Sequence, residues 1–179
     1  IAYLDSDDYW YPTRLNKVAR HLECSTATDV ISTDEYKINK LTGDKGALVY
    51  GPLGGAKYKS LLLYGNRLST SATIVRKQFL VENDIRFNEN LEFATVEDYD
   101  YWLQLANANA SFKFIHSFEG VYLLHGANSS RYEDLHNRNE LNLLKHHVFH
   151  VQNFENNKEN LWRTTLKTIA FRKALVSLR

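Results

Sequence analysis

The 179-residue chain contains no methionine, one cysteine and two prolines. A lone thiol, Cys24, cannot close an internal disulfide, so burial has to hold the fold, and the composition fits a reducing cytoplasm. No apolar run approaches the ~20 residues that cross a bilayer, and no secretory leader is visible, so a membrane could only be met at its surface. Charge of one sign is also missing: 22 Lys and Arg stand against 21 Asp and Glu, and the formal net charge of +1 argues for no nucleic-acid partner. Internal repeats and low-complexity segments are absent as well, which removes solenoids and disordered tails. What is present is apolar: 44% hydrophobic and 13% aromatic residues suffice for one sizeable core, and a single soluble globular domain is expected.

The chain is organised around its first twelve residues. Ile1-Ala2-Tyr3-Leu4 is a short apolar run that stops in Asp5, Asp7 and Asp8. Such a run predicts a buried strand that delivers its carboxylates to the carboxyl edge of a sheet, where open α/β sheets bind ligands. Carboxylates this close repel one another unless a cation sits between them. Hard oxygen ligands without cysteine suit Mn²⁺ or Mg²⁺, ions that bind through one or two carboxylates plus substrate phosphates. The turn therefore predicts a metal-diphosphate site. For Asp8 alone, capping of the following helix is an equal alternative. An apolar strand followed by Asp-x-Asp also opens haloacid-dehalogenase-like phosphatases, with Asp5 as covalent nucleophile. Those enzymes want a small hydroxyl residue where Tyr9 stands.

Further along, Pro12 suits a first helical turn, and Leu15, Val18, Ala19 and Leu22 predict a helix packed on the sheet. Strands are expected at 29–33, 35–39 and 47–50, with a hairpin turn at 41–46 and a connector at 51–55. Lys57 to Tyr64 predicts a helix ended by Gly65. Residues 68–77 read as a strand with a hydroxyl-rich lead-in, and 78–83 as a helix. Val96, Tyr99, Leu103 and Ala106 line one face of a helix over 96–106, with Glu97, Asp98 and Asp100 in its first turn, where the helix dipole favours negative charge. Strands follow at 112–115 and 120–124, the second ending at His125. Helices are expected from Tyr132 and from about Leu161. His146 and His150 lie one helical turn apart without an acidic or cysteine partner in sequence, which predicts a solvated face rather than a metal pair.

Three of these stretches, in this order, resemble family 2 glycosyltransferases of the GT-A fold. Leu4-Asp5-Ser6-Asp7-Asp8, with Trp10, Pro12 and Leu15, is similar to the family's acidic motif. Glu97-Asp98, an aromatic residue, Asp100 and Trp102-Leu103 are similar to its Glu-Asp motif. Tyr122 to Ser130 is similar to Tyr-Arg-x-His-x-x-x-x-Ser, with Leu123 in place of the arginine. The resemblance implies a partial GT-A fold: a three-layer α/β/α mixed sheet whose metal- and acceptor-binding half spans 1–131, followed by a helical extension over 132–179. It implies inverting transfer of a sugar from a nucleotide-sugar, UDP-linked, to a hydroxyl of a glycan or lipid-linked acceptor in polysaccharide or glycolipid synthesis. Asp98 would be the general base. Asp7, with Asp5 and His125, would hold the metal, and Ser69, Thr70 and Ser71 would lie under donor and acceptor.

In that family most of the nucleoside pocket precedes the acidic motif, so the chain is expected to be a piece of a longer protein. A catalytically incompetent interaction fragment is therefore the other alternative. Finally, residues 161–179 hold Arg163, Lys167, Arg172, Lys173 and Arg179 and no acid. Trp162, Leu166, Ile169 and Ala170 form an apolar stripe among these cations. A core-docked helix is expected, with a peripheral interfacial helix on the anionic inner face of the plasma membrane as the sharper alternative.

Overall fold

The computed structural model describes residues 1–25, 27–125 and 133–177. Among them are five strands and six α-helices, which separate into a sheet-based unit and a helical unit. The first unit comprises Ile1–Pro52, Arg67–Arg86 and Ala108–Arg131; the second comprises Leu53–Asn66, Phe87–Asn107 and Tyr132–Arg179. The helices after residue 132 thus belong to one compact unit with two earlier stretches of chain.

The sheet unit is built on β2 (Val30–Asn39). Along one edge β2 pairs in parallel with β5 (Phe112–Leu124), in a register running from Val30 opposite Phe112 to Asn39 opposite Leu124. Along its other edge it pairs antiparallel first with β4 (Thr73–Val75) and then with β3 (Lys45–Leu48). β1 (Tyr9–Trp10) adds antiparallel to β5. Helices α1 (Arg14–Cys24) and α3 (Lys77–Glu82) complete the unit. The β2–β3 turn forms where expected: Asn39 Oδ1 accepts the Leu41 amide at 2.9 Å, and Gly43 takes the left-handed φ of +77° that the reversal requires.

Three expectations change here. Ile1–Leu4 is not a core strand. Ala2 makes one antiparallel bridge to Ile74 on the outer edge of β4, and Ile1 and Leu4 stay 49% and 47% exposed, because an edge position beside a three-residue strand covers only one side of the segment. The strand pairs expected at 29–33 with 35–39 and at 112–115 with 120–124 are single long strands. Register shifts around Asp34 absorb the irregularity without breaking the ladder. On α1 the inward positions are Arg14, Val18 and Leu22, whereas Leu15 and Ala19 are exposed. The helix is rotated to bury a cation that other buried groups require.

The helical unit contains α2 (Lys57–Tyr64), a 3₁₀ turn (Leu91–Phe93), α4 (Glu97–Asn107), α5 (Glu133–His146), a π-helical turn (His147–Val151) and α6 (Lys158–Ser177). Helix α2 stops where predicted, at Gly65, whose amide bonds the Leu61 carbonyl at 2.9 Å with φ +89°. The four predicted apolar positions of α4 are buried, and so are Tyr101, Trp102 and Leu105, so this helix is covered nearly all round. On α6 the inward face is Leu161, Thr165 and Ile169; Trp162 is half-buried against Phe149, while Leu166 and Ala170 are exposed, which moves the expected apolar stripe by about one position. No helix among the described residues is long and apolar enough to cross a membrane.

Candidate functional site

In the sheet unit the acidic turn is closed by the Asp8 amide on the Asp5 carbonyl at 3.1 Å. Ser71 holds it from behind. Its hydroxyl accepts the Asp5 amide at 3.0 Å, and its carbonyl accepts Trp10 Nε1 at 2.8 Å. Asp8 does not cap a helix. It is buried, and its Oδ1 accepts the Leu123 amide of β5 at 2.9 Å, so the side chain ties the turn to the strand that ends beside His125. Burial pushes the Asp8 carboxyl up, against the lowering effect of Ser71 and Leu123.

The two carboxylates left toward solvent are Asp5, exposed, and Asp7, half-buried. Asp7 Oδ2 lies 2.7 Å from His125 Nε2 across 118 residues of sequence, so the structure brings together two of the three residues expected to hold a metal. Among the described residues no group of three or more His, Cys, Asp or Glu side chains is arranged to hold an ion. Ser71 is fully buried and engaged within the protein, so it positions the turn rather than facing a ligand. The Ser69 carbonyl accepts Thr73 Oγ1 at 2.7 Å, and the Thr70 carbonyl accepts the Thr73 amide at 3.1 Å. Of the segment expected to follow His125, residues 126–131 lie outside the described residues.

Behind the turn lies a buried polar layer that sequence reasoning missed. Arg14 is fully buried, donates from Nη1 to Thr33 Oγ1 at 2.7 Å and stacks its guanidinium 4.7 Å above the Trp10 ring. Burial lowers its pKa to about 10, against the opposing pull of Glu35 and Glu119, so it is charged at neutral pH. Glu35 accepts the Tyr50 hydroxyl at 2.9 Å, and burial pushes its carboxyl up. Glu119 accepts Thr13 Oγ1 at 2.9 Å and pairs with Lys17; burial pushes it up, but Lys17, Ser117 and Thr13 together hold it below its ordinary value. The available signal was the polar run Ser32-Thr33-Asp34-Glu35 directly after the apolar Val30-Ile31, since carboxylates buried there demand a nearby cation.

In the helical unit Asp98 occupies the first turn of α4, half-exposed. Its Oδ2 accepts Asn66 Nδ2 at 2.9 Å and its Oδ1 accepts the Tyr99 amide at 2.6 Å. Tyr99 pins the same turn by donating its hydroxyl to the Leu61 carbonyl at 2.6 Å. Just before the helix Thr95 takes φ +74°, a left-handed conformation uncommon for a β-branched residue. Asp100, two residues after Asp98, is buried. Burial pushes its carboxyl up, but His147, Gln104 and Asn88 together hold it below the usual range. The His146 and His150 rings lie 5.5 Å apart, tilted, and line a polar cavity of about 330 Å³ together with Glu92 and Lys145.

No protein-family model matches the chain, and no curated protein matches it by sequence. Among solved structures it is similar to S. aureus TarS 1-349 in complex with UDP-GlcNAc, with a TM-score of 0.61 and 17% identity. The match covers 94% of this chain and 48% of that one, so the chain spans about half the length of the TarS structure. The likeness is one of fold: the mixed α/β sheet with its helices, including the C-terminal helix, resembles that structure.

Proposed function

We propose that this chain is the metal-binding and general-base part of an inverting glycosyltransferase of family 2 type, using a UDP-sugar and an acceptor hydroxyl. The observation that carries the reading is the Asp7–His125 pair at 2.7 Å, assembled at the end of β5 on a fold shared with a UDP-GlcNAc-bound protein. The pair fits a divalent ion: a carboxylate oxygen and an imidazole nitrogen, both part-exposed, with Asp5 exposed on the same turn. Mn²⁺ or Mg²⁺ would take its remaining positions from diphosphate oxygens and water. When bound, the ion supplies Lewis-acid stabilisation of the departing diphosphate.

The chain's own residues supply the rest. Asp8, Ser71 and Trp10 hold the turn so that Asp7 is presented at a fixed place. Asp98 receives the acceptor proton on a carboxylate oxygen while the acceptor oxygen attacks the anomeric carbon from the face opposite the leaving group. The α4 N-terminus favours the ionised form of a carboxylate there, and Asn66 fixes its plane. The phosphatase alternative requires Asp5 at the end of a buried strand, and Ile1–Leu4 is a bridged, half-exposed edge segment.

Asp98→Asn tests the assignment in the full-length protein. Turnover should fall by about 10²- to 10⁴-fold with donor affinity retained. Joint loss of donor affinity would make Asp98 a binding or structural residue. The chain's span of 48% of the TarS structure keeps one other reading in play, that of an interaction segment incompetent by itself. Equal Mn²⁺-UDP affinity of this chain and the full-length protein would remove that reading.

A further inference from the structure

We infer that His147, in the π-helical turn after α5, is a positioning residue for Asp98, acting through a buried hydrogen-bond chain that runs from Tyr58 on α2 to Asp100 on α4. The inference rests on the proposed role of Asp98 as base. Tyr58, His147 and Asp100 are 8%, 1% and 2% exposed. The Tyr58 hydroxyl lies 2.9 Å from His147 Nδ1, and His147 Nε2 lies 2.8 Å from Asp100 Oδ1. The other Asp100 oxygen accepts Gln104 Nε2 at 2.7 Å.

With a neutral imidazole the chain runs in one direction. A carboxylate can only accept, so Nε2 carries the imidazole proton and donates to Asp100; the Tyr58 hydroxyl then donates to Nδ1. Both ring nitrogens are satisfied, and rotating either the ring or α4 breaks a bond in a place where water cannot replace it. Asp98 and Asp100 share one helical turn, so fixing the rotation of the second fixes the direction of the first. The π turn matters because its wider ladder shifts the phase of the segment; the Gln152 amide bonds the His147 carbonyl at 2.8 Å. His147 is thereby buried, while His146 and His150 line the neighbouring cavity.

A second hold acts on the backbone that leads into α4. His136 Nδ1 donates to the Thr95 carbonyl at 3.1 Å, and Asn139 Nδ2 donates to the Ala94 carbonyl. These bonds from α5 support the left-handed Thr95, which L residues adopt only under such constraint. Helix α5 and its π turn therefore fix α4 both before and within its first turn. Apolar packing alone could stabilise the contact equally well; a directional chain adds a defined rotation. Misplacing a reacting group by 1 Å can cost on the order of 100-fold in rate, which gives such a device a catalytic consequence.

The test uses the full-length enzyme with UDP-GlcNAc as probe donor, following UDP release and scaling kcat to the folded fraction. His147→Phe should lower kcat about tenfold or more with donor KM within about twofold, and His147→Gln, which keeps an N–H near the Nε2 position, should recover most of the loss. Tyr58→Phe removes a single oxygen and leaves the ring packing intact; it should lower kcat about threefold, again at constant KM. Should His147→Phe fail to fold, Tyr58→Phe decides. Wild-type kcat per folded molecule in Tyr58→Phe, or a KM that rises in step with the loss, would leave the network a purely structural feature and overturn the inference. Asp98→Asn run alongside separates the two readings: if it keeps turnover, the base assignment fails, whereas if it is dead while Tyr58→Phe is fully active, only the positioning role fails.

Discussion

Asp100 shows how one residue answers to its surroundings rather than to its position in a motif. Read in sequence it is another acid favoured by the helix dipole; in the structure it is the buried acceptor of His147 and Gln104. Its carboxyl is held below the usual range, so its contribution to stability is complete above the unfolded pKa of about 3.9 and is lost as pH falls through the lower folded value. Asp100→Asn should therefore cost about 2 kcal/mol at pH 7 and show a shallower loss between pH 5 and pH 2 than the wild type, read from urea midpoints at several pH values. An unchanged acid limb would mean that another group titrates there. Glu35 and Asp8 act with the opposite sign, since burial raises both and their contribution falls as pH rises through the folded pKa. Asp7, Asp98 and His125 could be singled out from their neighbours in sequence. Arg14 and Glu35 could not, because each is explained only by the other's burial.

Elements whose ends are written in local chemistry came out as expected. Helix α2 begins at Lys57 and stops at Gly65, and α4 starts in its acidic turn, since a left-handed glycine and a helix dipole act over a few residues. Strands β2 and β5 were each expected as two, because a polar run looks like a break until a parallel partner supplies the ladder. Helix α6 is the clearest shift of face. With Leu161, Thr165 and Ile169 inward, it exposes Leu166 at 39%, Phe171 at 65% and Leu175 at 46%, with Arg163 and Lys167 exposed on the same helix. The proposal of adhesion to an anionic bilayer surface therefore rests on Phe171 and Leu175 as well as the cations, each of which contributes about 1 kcal/mol near such a surface. If that alternative to the expected docked helix holds, co-sedimentation with anionic vesicles occurs at low salt, weakens at high salt and is lost with Arg163→Glu plus Lys167→Glu, while neutral vesicles bind little. Equal pelleting of the wild type and the double variant would leave α6 a docked helix with a solvated basic face.

At the scale of the molecule, the acidic turn and the helix that carries Asp98 belong to two compact units that alternate along the chain. Their proposed roles are separable by experiment. Asp7→Ala in the full-length protein should abolish Mn²⁺-dependent UDP affinity, measured calorimetrically with and without chelator, while Asp98→Asn leaves it intact. Metal-dependent affinity that survives in Asp7→Ala would remove the acidic turn from the metal site. The sequence by itself determined the α/β class, the order of the acidic turn, the Glu-Asp helix and the histidine, and the limits of the helices with local stop signals. Those features depend on composition, periodicity and contacts within a few residues. The meeting of Asp7 with His125, which the resemblance implied, is made by the fold at 2.7 Å. Only the tertiary structure decided that Arg14 is turned inward near buried carboxylates and that Tyr58, His147 and Asp100 form one chain. The physical reason is common to both: burial makes a charge or an unpaired polar atom costly, the fold offsets that cost with groups brought in from distant sequence, and one-dimensional spacing carries no record of them.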